Sequence, residues 1–188
     1  MSPQAVDPEW PCADSARHTS KQSHSLGSAG MAATTSETAL AADVPLRLPT
    51  TEFVYEALVE LGQGFLKLGR GPLGERTIVP ITGGRFHGPR LKGIVLNGGA
   101  DRQLVRADGA TLLNALYELQ TDDGAIITVN NRALVTMRPD GAAYAFSQLD
   151  ITAPEGPHAW LNHLVFVGDL HFDRAHPQAV LIRVYSLS

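Results

Sequence analysis

Residues 82–109, TGGRFHGPRLKGIVLNGGADRQLVRADG, carry seven glycines between short apolar runs. Glycine at this density suits a sharply bent, strongly coiled antiparallel sheet, because each such position can take φ > 0 or let another backbone approach closely. The strands between these bends are expected to aim Arg85, His87, Asp101, Arg106 and Asp108 into one small volume. That makes a candidate site without naming a reaction. GGRFHG and GGAD are not a dinucleotide fingerprint, since no helix follows to offer its N-terminus to a phosphate.

The remainder of the chain reads the same way. Residues 52–61, EFVYEALVEL, alternate with period two, and their aromatic and β-branched content favours a strand over a helix. GRGPLGER at 69–76 is turn chemistry, and TIVPITGG at 77–84 is a strand whose Pro80 belongs at an edge or bulge. RLKGIVL at 90–96 and ADRQLV at 100–105 follow, the latter running into an Asp-Gly turn. TLLNALYELQT at 111–121 and AIITVNNRALVTM at 125–137 form a hairpin about residues 122–124. PDG at 139–141 starts another hairpin, WLNHLVFVGDLHF at 160–172 reads as a further strand, and AVLIRVYSL at 179–187 as the last. Eight to ten short strands with no βαβ alternation exclude Rossmann and TIM architectures. The paired glycines favour a closed barrel over a flat sandwich. Residues 1–48 have no sustained period and read as a disordered tail before one domain over 49–188.

Composition excludes several function classes. A net charge of −4 gives no basic footprint for nucleic acid or acidic lipid. No apolar run reaches the roughly 18 residues of a membrane helix, and charges interrupt the first 30 residues, which argues against a secretory signal. A cytoplasmic protein is expected. The single cysteine, Cys12, excludes a disulfide framework, and the histidines have no metal-ligand spacing. Neither metal nor cofactor is expected.

TIVPITGGRFHGPRLKG at 77–93, LNGGAD at 96–101, VRADG at 105–109, LYELQTDDGAIITV at 116–129 and WLN at 160–162 together resemble the DUF3237 (UPF0311) family of bacterial and fungal proteins. The resemblance spans about residues 50–187. It implies a single antiparallel β-barrel, allene oxide cyclase-like or lipocalin-like, of unassigned function. The chain departs from the family pattern in three places. It reads Asn114-Ala115-Leu116-Tyr117 where the family commonly has D-A-R-Y, Arg102 where a Trp often follows GGAD, and Asn130-Asn131-Arg132 without the usual glycine. If the arginine absent at Leu116 lines the family's cavity, this member has a more apolar pocket wall.

Asp101, Arg106 and His87 are the candidate catalytic groups. A carboxylate inside an apolar barrel gains proton affinity suited to acid–base work, and a histidine carries protons near neutrality. Asp101 could equally hold an internal ion pair with Arg106 or Arg85. Asp108, before a glycine, reads as a turn former. Trp160, Asn162, Tyr117, Arg85 and Asn114 are the candidate substrate-binding residues. Trp160 and Asn162 alternate by two and point to the same side of their strand, whereas Asn114 and Tyr117 point to opposite faces of theirs. Either Leu112, Asn114, Leu116 and Glu118 line the lumen, or Leu113, Ala115, Tyr117 and Leu119 do, the second set being the more apolar. The expected function is a cofactor-independent isomerase, cyclase or lyase/hydratase acting by proton transfer on a small, largely apolar molecule. A non-catalytic binding barrel and a filled structural barrel are the alternatives, and exposed strand edges allow a homodimer.

Overall fold

From residue 51 onward the period-two pattern is realised as antiparallel strands. In the computed structural model, which describes residues 44–172 and 176–188, these are β1 (Thr51–Leu61), β2 (Leu66–Gly71), β3 (Gly74–His87), β4 (Lys92–Val95), β5 (Ala100–Val105), β6 (Thr111–Thr121), β7 (Ile126–Met137), β8 (Ala143–Thr152), β9 (Phe166–Phe172) and β10 (Ala179–Leu187). Each strand from β6 to β10 pairs with the next, β10 returns to β1, and β1 closes on β3. Two staves are broken. β1 and β2 take successive stretches of one edge of β3, and β4 and β5 take successive stretches of the other, which gives an eight-stave closed barrel. Closure removes the sheet edges that an open sandwich would expose.

Pro80, which has no N–H to donate, sits between the last β2 pair at Ile78 and the first β1 pair at Ile81. The expected edge or bulge position is this gap in the stave. The turn read at 69–76 shrinks to Pro72-Leu73, because β2 runs to Gly71 and β3 starts at Gly74. Most of the tail expected over 1–48 lies outside the described residues.

The interior is one apolar cluster contributed by alternate residues of every long strand, including Tyr55, Ala57 and Val59 on β1, Ile127 and Val129 on β7, and Ile182 and Val184 on β10. Tyr55 meets Phe86 edge to face at 5.8 Å between ring centroids, a geometry worth about 0.5–1.5 kcal/mol beyond area burial. Glycine is needed where strands are drawn together. A Cβ on Gly84 would stand 2.1 Å from the Leu58 carbonyl oxygen, and one on Gly99 2.7 Å from Tyr117 Cβ.

One expected strand is corrected. Residues 160–172 are not continuous, since Ala159–His163 form a short 3-10 helix before β9. Local polar demand explains the break. Asn162 Oδ1 accepts from the Ala153 N–H at 2.8 Å while its Nδ2 donates to the Ala153 carbonyl at 2.9 Å. His158 Nε2 lies 3.0 Å from Asp123 Oδ2. Leu161, 1% exposed, is thereby turned into the core. No helix among the described residues is long and apolar enough to cross a membrane.

Candidate functional site

On β6 it is Leu113, Tyr117 and Leu119 that are buried, with Ala115 packed against the core, while Asn114 and Leu116 are exposed. The more apolar of the two faces therefore lines the lumen. β5 lies beside it in a register that sets Asp101 opposite Ala115, and β7 sets Asn131 opposite Ala115 on the other side. Asp101, Ala115 and Asn131 thus form one inward row. Two strand spacings, about 10 Å, separate the outer pair of Cα atoms. The methyl group of Ala115 leaves the space between the carboxylate and the amide unfilled.

That space is a cavity of ≈ 40 Å³ bounded by Asp101, Gln103, Tyr117 and Asn131 among apolar side chains that include Leu61 and Phe172. It has room for about two or three waters, or for the tip of a larger molecule. Asp101 is 7% exposed. Its Oδ2 accepts from Gln103 Nε2 at 2.8 Å and its Oδ1 from the Asn114 backbone N–H at 2.9 Å. Burial raises its proton affinity, and these two donors pull it part of the way back. The result is a carboxyl with both oxygens held in place and a greater readiness to take up a proton than a solvated aspartate has.

Tyr117 and Tyr55, both fully buried, are also pushed upward by burial, so both stay protonated donors across the physiological range. Their hydroxyls and the Asn131 side chain lie near enough to influence one another, yet neither hydroxyl nor Asn131 Oδ1 has a hydrogen bond of regular geometry. Among the described residues the lumen thus holds one carboxyl and several polar atoms with unused capacity, in an otherwise apolar wall.

The expectation of a single converging cluster is corrected. Arg85 and His87 are exposed on the outer face of β3. A bulge is the reason: the pairing with β1 steps from Leu61↔Ile81 to Glu60↔Gly83, leaving Thr82 over. Inward residues are Val79 and Ile81 before it and Phe86 after it, so the parity flips and Arg85 and His87 are turned away from Asp101. Arg106 lies beyond the end of β5, exposed and ion-paired with Asp108, and no ion pair joins Asp101 to Arg106 or Arg85. Asp108 Oδ1 accepts the Ala110 N–H at 3.1 Å, as a turn former does.

The remaining expected binding residues fall elsewhere. Asn114 reaches the site only through its backbone N–H. Trp160 carries the Arg90 guanidinium 3.8 Å above its ring, and Asn162 is used in holding Ala153. Leu116, 46% exposed, belongs to the outer surface, so the arginine absent there does not alter the lumen wall. Sequence reasoning did not single out Gln103, Asn131 or Tyr55. For Asn131 a signal exists, since it is the polar interruption in the alternating series Ile127, Val129, Asn131, Ala133, Val135 that β7 buries.

The family model described as "Protein of unknown function (DUF3237)" matches residues 49–187. A UPF0311 protein of Clostridium acetobutylicum is 31% identical over 129 residues, 62% of this chain and 80% of that protein. A UPF0311 protein of Rhodopseudomonas palustris is 37% identical over 81 residues, 43% of this chain and 52% of its own length. Among solved structures, a beta-barrel like protein from Acinetobacter baumannii superposes with a TM-score of 0.72 at 28% identity, covering 77% of this chain and 99% of that one. A protein from Penicillium herquei described as an enzyme superposes at 0.63 and 22% identity, covering 77% and 98%, a likeness of fold alone.

Proposed function

The chain belongs to the DUF3237 family of proteins of unknown function, and for this member we propose cofactor-independent acid–base catalysis on a small, largely apolar organic molecule, of the isomerase, cyclase or lyase/hydratase class. The observation that carries the reading is Asp101, a buried carboxyl whose proton affinity is raised and whose two oxygens are held by Gln103 and the Asn114 backbone. Such a group takes a proton from carbon more readily than a solvated aspartate and can return it to another atom of the same molecule, so no co-reactant is needed.

Tyr117 and Asn131 supply the second half of the chemistry. Proton removal beside a carbonyl leaves negative charge on oxygen, and a neutral phenol with an amide N–H is suited to receive it. The ≈ 40 Å³ cavity admits only the reacting end of a substrate, while the apolar rim at Leu61 and Phe172 suits its body. In this reading Arg106 and His87 take no part in proton transfer, because both face away from Asp101.

The test needs no knowledge of the natural substrate. A panel of small cyclic ketones and lactones is incubated with the protein in D2O, and α-proton exchange is followed by 1H NMR. The expected result is exchange above the buffer rate for some members of the panel, abolished in Asp101→Asn and reduced in Tyr117→Phe. Binding without exchange in the wild type would instead support a carrier barrel. Equal exchange in wild type and Asp101→Asn would overturn the assignment of the base.

A further inference from the structure

The bulge that turns Arg85 and His87 outward builds a second locus, on the outer face of β3, β1, β10 and β9. Two neighbouring rows of side chains cross these strands there. In one, Arg85 stands opposite Leu58, Leu58 opposite Leu181, and Leu181 opposite His171. In the other, His87 stands opposite Glu56, Glu56 opposite Arg183, and Arg183 opposite Asp169. A groove of ≈ 450 Å³ runs over them, lined by Arg85, His87, Glu56, Leu58, Leu181 and His171 among others. That volume lies within the range of small-molecule sites, whereas the lumen cavity does not.

The charges along these rows are unequally used. Glu56 is engaged by Arg183 at 3.4 Å, and Asp169 by His171 at 3.2 Å. Both acidic side chains of the two rows therefore already have a nitrogen partner, Arg183 for Glu56 and His171 for Asp169. Arg85 and His87, two residues apart on one face of β3, have no hydrogen bond or ion pair among the described residues. The groove thus has a floor of two leucines in register and, at one end, a guanidinium fork and an imidazole with free donors. A planar carboxylate matches that fork. A purely inorganic anion would leave Leu58 and Leu181 unused, and a neutral apolar molecule would leave Arg85 and His87 unused.

We propose that this outer groove is a binding site for a small amphipathic carboxylate, an aromatic or short aliphatic acid whose apolar body lies on Leu58 and Leu181 and whose carboxylate is received by Arg85 and His87. Its leucine floor is the outward side of β1 and β10, whose inward side chains Val59 and Ile182 line the lumen cavity with Asp101; of the described residues only Phe172 borders both, so the groove counts as a second site. It stands independently of the acid–base reading of the barrel.

Phenylacetate is a probe of the right shape, and phenylacetamide is its neutral counterpart. Each is titrated into the full-length protein, with 1H–15N shifts of β1, β3 and β10 as the readout. Wild type is expected to bind the acid at least about tenfold more tightly than the amide, with shifts centred on Leu58, Arg85 and Leu181. Arg85→Gln, an exposed substitution that leaves the fold intact, is expected to erase that preference. His87→Gln is expected to weaken acid binding several-fold. Asp101→Asn should bind phenylacetate as wild type does, which separates this site from the lumen. Equal affinity for acid and amide, retention of the preference in Arg85→Gln, or no binding of the acid up to about 10 mM would each overturn the proposal.

Discussion

Replacing Asp101 by asparagine should leave the barrel nearly as stable at neutral pH and change how stability depends on pH. The carboxyl has its proton affinity raised by burial, so the fold prefers its neutral form. For a group displaced in this direction, the favourable contribution is fully present below the unfolded-state pKa, about 3.9, and is lost as pH rises through the higher folded-state value. Every tenfold rise in proton affinity is worth about 1.4 kcal/mol, and asparagine removes that liability at neutral pH. That raised affinity is already net of the two donors, Gln103 Nε2 at 2.8 Å and the Asn114 N–H at 2.9 Å, which asparagine meets with a neutral acceptor in place of a charged one. The asparagine oxygen keeps one donor, and Gln103 can turn its own amide oxygen to the new N–H. What remains is how well the amide fits these donors, about one neutral hydrogen bond, and the net change at pH 7 should stay within about 2 kcal/mol. Urea unfolding between pH 3.5 and 8 measures both quantities. The difference between variant and wild type should move in favour of the variant as pH rises from about 4. A loss above about 3 kcal/mol at neutral pH that deepens as pH rises would show instead that the folded protein stabilises the charge, and would refute the reasoning.

Three further outcomes follow from the fold. Gly84→Ala forces a Cβ to 2.1 Å from the Leu58 carbonyl oxygen at φ +138, whereas at Gly109 a Cβ meets open space at φ +83; thermal melts should show the first costing more than about 3 kcal/mol and the second about 1, and equal effects would sink the close-packing argument. Asn162→Ala removes both side-chain bonds to the Ala153 backbone, and chemical denaturation should register a loss of about 1–3 kcal/mol with the Asp101-dependent exchange unchanged. The Thr121 hydroxyl and then His158 hold the Asp123 carboxyl below its ordinary range, a contribution present above the usual aspartate pKa and lost as pH falls through the lower folded value; an acid titration by circular dichroism should show Asp123→Asn with a flatter stability profile below about pH 4.

Fold class was legible because it rests on alternation and turn chemistry, both local. The hairpin about 122–124 shows it well, with Gly124 at φ +89 and β6 and β7 paired from Gln120↔Ile126 to Thr111↔Val135. The face of β6 was left open between two alternating sets, and the burial of Leu113, Tyr117 and Leu119 decides it for the more apolar one. The 160–163 segment was not, because Trp160, Asn162 and Leu164 alternate as in a strand. What bends the chain is the distant Ala153 backbone and the turn at Asp123, neither of which a local pattern records.

The expected convergence of Arg85 and His87 on Asp101 fails for a more specific reason, and it lies in the glycine pair. Counting by twos from Val79 and Ile81 carries Gly83, Arg85 and His87 into the lumen, where they would meet Asp101. The count fails at Thr82, where the bulge absorbs one residue and Gly84 lets β3 close on the Leu58 carbonyl. A one-residue slip moves every later side chain to the opposite face. The same glycines that marked the bend therefore decide which face these side chains take. They leave Asp101 inside with neutral donors for company, and they put an arginine and a histidine outside, beside two leucines, with no hydrogen bond or ion pair among the described residues. Charge that an unbroken alternation would bring together inside the barrel is divided between the lumen, which keeps Asp101, and the outer face, which takes Arg85 and His87.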